Sequence, residues 1–106
     1  MKVGIISNHW KDTNGNPAGG CTYGVGFAIS WQNGPLGRGF DRKPPNGSFV
    51  EDILDAARDR LAFYQNSQLA CEENEAALLH IEAAMEVLDS RTTKRALHEV
   101  EGTHQK

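Results

Sequence analysis

Tyr64 and Asn74 stand ten residues apart, on either side of a short polar break, Asn66-Ser67-Gln68. An aromatic ring gives a nucleobase a face to stack on, and a side-chain amide gives a base edge both a donor and an acceptor. Asn74 is also polar in an otherwise apolar helical seam, where an asparagine can instead set the register of a helix pair. On the residues alone both readings stand. Cations come next. Arg38 lies in Gly34-Pro35-Leu36-Gly37-Arg38-Gly39, followed by Arg42 and Lys43. A guanidinium flanked by glycines lets its fork and nearby backbone N–H groups face one anion, although a solvated basic loop has the same composition. Arg91, Lys94 and Arg95 form a second cationic cluster, suited either to a phosphate or to the negative end of a helix dipole.

Catalytic constellations are poor. His9, His80, His98 and His104 show no metal-ligand spacing with Cys21 or Cys71. Asp12, Asn14 and Asn16 imitate the first half of a calcium loop, but Pro17 and Tyr23 stand where a glycine and a glutamate are needed. Asn46-Gly47-Ser48 is a glycosylation sequon with no secretory signal to give it meaning. No GxxxxGK[ST] occurs, and no Ser or Cys sits in a nucleophile motif. The expectation is a binding protein with no cofactor and no metal, not an enzyme.

The elements that must position these groups follow from two contrasting halves. The first 47 residues hold 10 of the 11 glycines, all four prolines and a net charge of +3. The remaining 59 carry twelve carboxylates against six cations, no proline and one glycine. The front piece reads as strand and turn. Lys2–Ser7 is one expected strand, and Thr22–Trp31 another, with Tyr23, Val25, Phe27, Ile29 and Trp31 on one face and small residues on the other. The back piece reads as helix. Ser48 and Glu51 fit a capping box, and Phe49, Ile53, Ala57, Leu61 and Tyr64 predict a helix over about 49–66. Cys71, Asn74, Leu78, Ile81, Met85 and Leu88, spaced 3, 4, 3, 4, 3, predict a second reaching about His98, antiparallel to the first. The fold class is α+β: a small N-terminal antiparallel sheet with glycine-rich loops, packed on a C-terminal helical hairpin. We read 1–106 as a single domain, with a β/loop lobe over 1–47 and a hairpin lobe over 48–106.

At 106 residues, one modest core is possible and two independent cores are not. Two cysteines 50 residues apart, with no CxxC, argue against a disulfide scaffold and a four-ligand zinc site, and both thiols are expected free in a reducing compartment. The opening Met-Lys-Val-Gly-Ile-Ile-Ser is too short an apolar stretch for a signal peptide. A net charge of −3 argues against binding DNA or RNA polymers, and no apolar run is long enough for a membrane span.

Three segments resemble a known family. They are Ile29-Ser30-Trp31-Gln32-Asn33-Gly34-Pro35-Leu36-Gly37-Arg38-Gly39; Asn46-Gly47-Ser48-Phe49-Val50-Glu51-Asp52, leading through Arg60-Leu61-Ala62-Phe63-Tyr64-Gln65 to Ala70-Cys71-Glu72-Glu73-Asn74; and Leu88-Asp89-Ser90-Arg91-Thr92 with the closing Val100-Glu101-Gly102-Thr103-His104. Together they resemble the phage Thoeris anti-defence signal sponges, which share their helical hairpin with the anti-CBASS cyclic-nucleotide sponges. The resemblance implies a non-enzymatic trap, a dimer or hexamer, that acts in the cytoplasm of the infected bacterium. Its ligands would be glycocyclic ADP-ribose isomers and, in some relatives, cyclic oligonucleotides in a second pocket. Tyr64 matches the family's base-binding aromatic and Asn74 its base-reading amide. Arg38 and Arg91 match its phosphate-gripping arginines. The second pocket falls on Thr103 and Gly102, with Arg95 and His98 nearby. His98-Glu99 replaces the Arg-Gly common in the family, which should weaken that pocket. The competing expectation is a helical-hairpin adaptor that binds and blocks a host protein.

Overall fold

The computed structural model describes residues 4–37 and 39–97, with the backbone alone at 95–97. The chain divides into two compact units, one reaching to Phe49 and the other spanning Val50–Leu97. The architecture is α+β: a three-stranded antiparallel sheet, then two helices forming a hairpin.

The sheet is a meander of β1 (Ile6–Lys11), β2 (Pro17–Gly24) and β3 (Phe27–Trp31). The first strand thus begins four residues later than expected, and the expected Thr22–Trp31 strand is two. Val25-Gly26 is a two-residue hairpin loop between the paired residues Gly24 and Phe27. Gly26 takes a φ of 86°, the left-handed conformation that short hairpin loops demand. The fold-back changes the faces. Paired residues share a face, so Tyr23 goes with Ile6 and Ala28, while Phe27, Ile29 and Trp31 lie on the other side with Thr22. No face lined only by small side chains results. Between β1 and β2 the Asp12 carboxylate is the turn's organiser: its Oδ1 accepts from the backbone N–H of Asn14 at 2.8 Å and of Asn16 at 3.0 Å. Thr22 is buried, and its hydroxyl accepts from Trp31 Nε1 at 2.8 Å and lies 3.0 Å from Ser7 Oγ.

Beyond β3, Ser48 bridges Trp31 in parallel. The Ser48 N–H donates to the Ser30 carbonyl at 2.7 Å, and its carbonyl accepts from Gln32 N–H at 3.1 Å. The helix that follows begins at Val50, so Phe49 and not Ser48 is the residue directly before its first turn. The approach needs Gly47, where a Cβ would sit 2.5 Å from the Trp31 backbone. Between Gln32 and Gly47 the chain makes a loop containing a short 3-10 turn, Gly39–Asp41. Side-chain amides close its base. Asn46 N–H donates to Gln32 Oε1 at 2.9 Å, Asn33 N–H to Asn46 Oδ1 at 2.8 Å, and Asn46 Nδ2 to the Asn33 carbonyl at 3.1 Å.

The second unit is α1 (Val50–Gln65) and α2 (Glu72–Leu97). Their facing stripes are half-buried Ile53, Leu54, Leu61 and Tyr64 against Asn74, Leu78, Ile81, Met85, Leu88 and Thr92. The predicted seam is therefore the observed one on α2 from Asn74 onward, while Ala57 and Cys71 are exposed. Among the described residues no apolar side chain is fully buried: two helices alone cannot enclose a core. None of the described helices is long and apolar enough to cross a membrane.

Candidate functional site

The hairpin tip carries Tyr64 and Asn74, one on each side of the six-residue link 66–71. The link is held by side chains. Gln65 Nε2 donates to the Cys71 carbonyl at 3.1 Å, and Cys71 N–H donates to Gln65 Oε1 at 3.0 Å. One amide thus pairs with one backbone residue through two bonds. Ser67 Oγ donates to the Tyr64 carbonyl at 2.6 Å and accepts from Leu69 N–H at 3.1 Å. Asn74 Nδ2 donates to the Leu69 carbonyl at 3.2 Å. Asn74 therefore ties down the link, and among the described residues it makes no side-chain hydrogen bond to α1. One of its amide N–H donors is used there. The amide's second N–H and its Oδ1 make no hydrogen bond among the described residues, and these form the donor–acceptor pair a base edge requires.

Tyr64 is half-buried, its ring held from the preceding turn. Arg60 Nε donates to the phenol oxygen at 3.2 Å. The Arg60 guanidinium carbon lies 5.0 Å from the Tyr64 ring centre and 4.9 Å from that of Phe63. The two rings are 6.2 Å apart and tilted by 54°. A guanidinium this close to two ring faces makes a cation–π contact with each, and it places positive charge beside the aromatic platform. Sequence reasoning overlooked both Arg60 and Gln65. The i, i+4 spacing of Arg60 and Tyr64 was a usable signal, whereas the Gln65–Cys71 closure has no periodic signature.

Arg91 is elsewhere. It lies 17 residues beyond Asn74 on the same helix, about 25 Å along the axis at 1.5 Å per residue. Its guanidinium is 3.9 Å from a Glu51 carboxylate oxygen, with both side chains substantially exposed. The hairpin groove at that end, about 530 Å³, is lined by Glu51, Arg58, Glu82, Met85, Glu86, Asp89 and Thr92. Four carboxylates against one guanidinium repel a phosphate. Within one hairpin, then, Tyr64 and Asn74 share an end and Arg91 does not join them. Arg38, His98, Gly102 and Thr103 lie outside the described residues, as does the side chain of Arg95.

The family model described as "Acb2/Tad1, hairpin domain" matches residues 25–93, which include β3, all of α1, α2 as far as residue 93, Tyr64, Asn74 and Arg91. The chain is also 36% identical over 78 residues to a Bacillus phage SBSphiJ7 protein named Thoeris anti-defense 1, a match covering 74% of this chain and 52% of that one. The chain thus spans about half the length of that relative. A match over α1, most of α2 and the tip that joins them places this chain in the Acb2/Tad1 hairpin-domain family.

Proposed function

We propose that this chain is a phage anti-defence protein that captures a cyclic nucleotide immune signal of the ADP-ribose type and holds it intact. The observation that carries the reading is the hairpin tip. There a ring steadied by a guanidinium and an amide with an unused donor and acceptor flank one clipped link. The family and the name of the phage relative support the anti-defence role.

The chemistry is capture, not turnover. A sponge works by stoichiometry, so the complex must form tightly and dissociate slowly. Sequestering a signal at nanomolar to micromolar levels takes roughly −9 to −12 kcal/mol. Stacking on Tyr64 contributes about 1–3 kcal/mol, and each guanidinium–phosphate contact about 1.5–3 kcal/mol. No single hairpin collects enough of these, because about 25 Å separates Asn74 from Arg91. The pocket therefore draws its aromatic-amide side and its phosphate side from different copies of the chain, in a dimer or a hexamer. Arg38 completes the phosphate side. A second, weaker pocket for cyclic oligonucleotides uses Thr103, Gly102, Arg95 and His98.

The test is to incubate the protein with glycocyclic ADP-ribose, remove free ligand, denature by heat and chromatograph what is released. Intact ligand is the expected result. Breakdown products would make the chain an enzyme, and nothing retained would favour the adaptor that blocks a host protein. In calorimetry, Tyr64→Ala and Asn74→Ala should each weaken binding by about 1–3 kcal/mol with the assembly intact. Thr103→Ala should impair a cyclic trinucleotide and leave the ADP-ribose ligand unaffected.

A further inference from the structure

Asparagine followed by glycine occurs three times, at Asn14-Gly15, Asn33-Gly34 and Asn46-Gly47. All three asparagines are exposed. Asparagine is thermolabile, and a following glycine, with no Cβ to crowd it, leaves its own nitrogen open to attack the asparagine side-chain carbon. The local sequence therefore treats the three pairs alike. The fold does not.

At Asn14 the nucleophile is engaged. Gly15 N–H donates to the Asp12 carbonyl at 3.0 Å, inside the turn that the Asp12 carboxylate holds. At Asn46 the side-chain amide is engaged, Oδ1 accepting from Asn33 N–H at 2.8 Å and Nδ2 donating to the Asn33 carbonyl at 3.1 Å. Gly47 is also wedged against β3, where a Cβ would lie 2.5 Å from the Trp31 backbone, which resists any swing of its nitrogen toward Asn46. At Asn33 neither reacting group is held. Among the described residues its side-chain amide and the Gly34 N–H make no hydrogen bond, and a Cβ built on Gly34 would meet nothing within 4 Å. What is fastened there is the Asn33 N–H and the carbonyl oxygens of Asn33 and Gly34, none of which forms or breaks a covalent bond in the attack.

We propose that Asn33 is a self-modification site, where the folded chain converts its own amide to an acid with water as the only co-reactant. The Gly34 nitrogen gives up its proton and bonds to Asn33 Cγ. The Cγ–Nδ2 bond breaks, and the amide nitrogen leaves with a proton as ammonia. One water then opens the five-membered imide. Opening at Cγ leaves aspartate in an ordinary backbone. Opening at the former main-chain carbonyl leaves isoaspartate, whose chain runs through Cβ and Cγ. Either product adds a negative charge at the base of a loop that carries Arg42 and Lys43. Isoaspartate also lengthens the backbone by one methylene directly beside the Asn46 closure. The site goes beyond the proposed capture of a nucleotide and does not depend on it.

The experiment ages the full folded chain in warm, mildly alkaline buffer and follows each asparagine by fragmentation mass spectrometry of its peptides. Conversion at Asn33 should run about threefold to tenfold faster than at Asn14 or Asn46, the difference one held hydrogen bond makes to a barrier. In guanidinium chloride the three pairs should convert at comparable rates, because the fold alone distinguishes them. Asp12→Ala, which loosens the hold on Gly15, should speed conversion at Asn14 and leave Asn33 unchanged. Asn33→Gln should abolish the conversion at that position, with the circular dichroism retained. Asn14 or Asn46 converting first in the folded chain, the same order of rates folded and unfolded, or an Asn14 rate indifferent to Asp12→Ala would overturn the proposal. A fresh wild-type chain that fails to bind glycocyclic ADP-ribose would overturn the capture reading and leave this site standing.

Discussion

Changing Gln65 to Ala removes two hydrogen bonds with one substitution, because a single amide both donates to and accepts from Cys71. A net intramolecular hydrogen bond contributes about 0.5–1.5 kcal/mol, and at an exposed link the lower half of that range applies, so the pair amounts to about 1–2 kcal/mol. Alanine returns a few tenths through its higher helix propensity. For a unit of this size each kcal/mol corresponds to roughly 4–8 °C, which predicts a fall in Tm of about 4–12 °C at fixed protein concentration. Gln65→Glu is the sharper variant. It keeps an acceptor for the Cys71 N–H but turns a carboxylate toward the Cys71 carbonyl, and it should lose at least as much as Gln65→Ala. Thermal unfolding followed by far-ultraviolet circular dichroism reads the stability. Calorimetry with glycocyclic ADP-ribose reads the consequence for the tip, where Tyr64 and Asn74 flank the clipped link; affinity should drop tenfold or more. A Tm within 1 °C of wild type for both variants would refute the clip. A lowered Tm with unchanged affinity would remove the tip from the binding site.

Arg60→Met keeps an aliphatic stem beside Phe63 and Tyr64 but removes the cation and the bond to the phenol oxygen; ligand affinity should fall about tenfold, and in a Tyr64→Ala background the same change should have little effect, as a double-mutant cycle will show. Thr22→Val leaves Trp31 Nε1 and Ser7 Oγ without their partner in a buried position and should cost about 1–3 kcal/mol in denaturant unfolding followed by tryptophan fluorescence, with Thr22→Ser restoring most of it. Arg91→Ala loses only an exposed ion pair within its own hairpin and should change the Tm by less than about 2 °C, so a tenfold or greater loss of nucleotide affinity in this variant reports direct contact with the phosphate.

The helical half was largely legible because its information is periodic. The spacing from Asn74 to Leu88 placed the seam correctly, and both helices end within a residue or two of their expected bounds. The sheet was less legible. Alternation runs unbroken from Thr22 to Trp31, and Val25-Gly26 is too short to interrupt it, so the reversal of Phe27, Ile29 and Trp31 to the face opposite Tyr23 had no signal in the pattern. Ser48 and Glu51 satisfied a local capping rule, but backbone hydrogen bonds to Ser30 and Gln32, 16 to 18 residues away, tie Ser48 to the end of β3. At the candidate site the chemistry of Tyr64 and Asn74 could be read from residue type alone. Their supports, Arg60, Gln65 and Cys71, act through side-chain contacts that no hydropathy pattern encodes. The distance from Asn74 to Arg91 was implicit in 1.5 Å per residue, yet it gained meaning only once α2 proved continuous.

The closure of the loop between Gln32 and Gly47 has an evolutionary consequence. Its base is fastened by Gln32, Asn33 and Asn46, residues at its two ends, while none of the described residues of 35–45 between them lies in a strand. Lengthening such a segment costs little, about 0.6 kcal/mol for each doubling. The segment thus behaves as an exchangeable cartridge in a fixed socket. Within it, Lys43 N–H donates to the Leu36 carbonyl at 2.6 Å, and Gly37 has a φ of 84°, so these two positions must be kept when the rest is changed. On the proposed capture reading, chimaeras that swap residues 35–45 between relatives should keep the closed base and differ in their affinity for the captured signal.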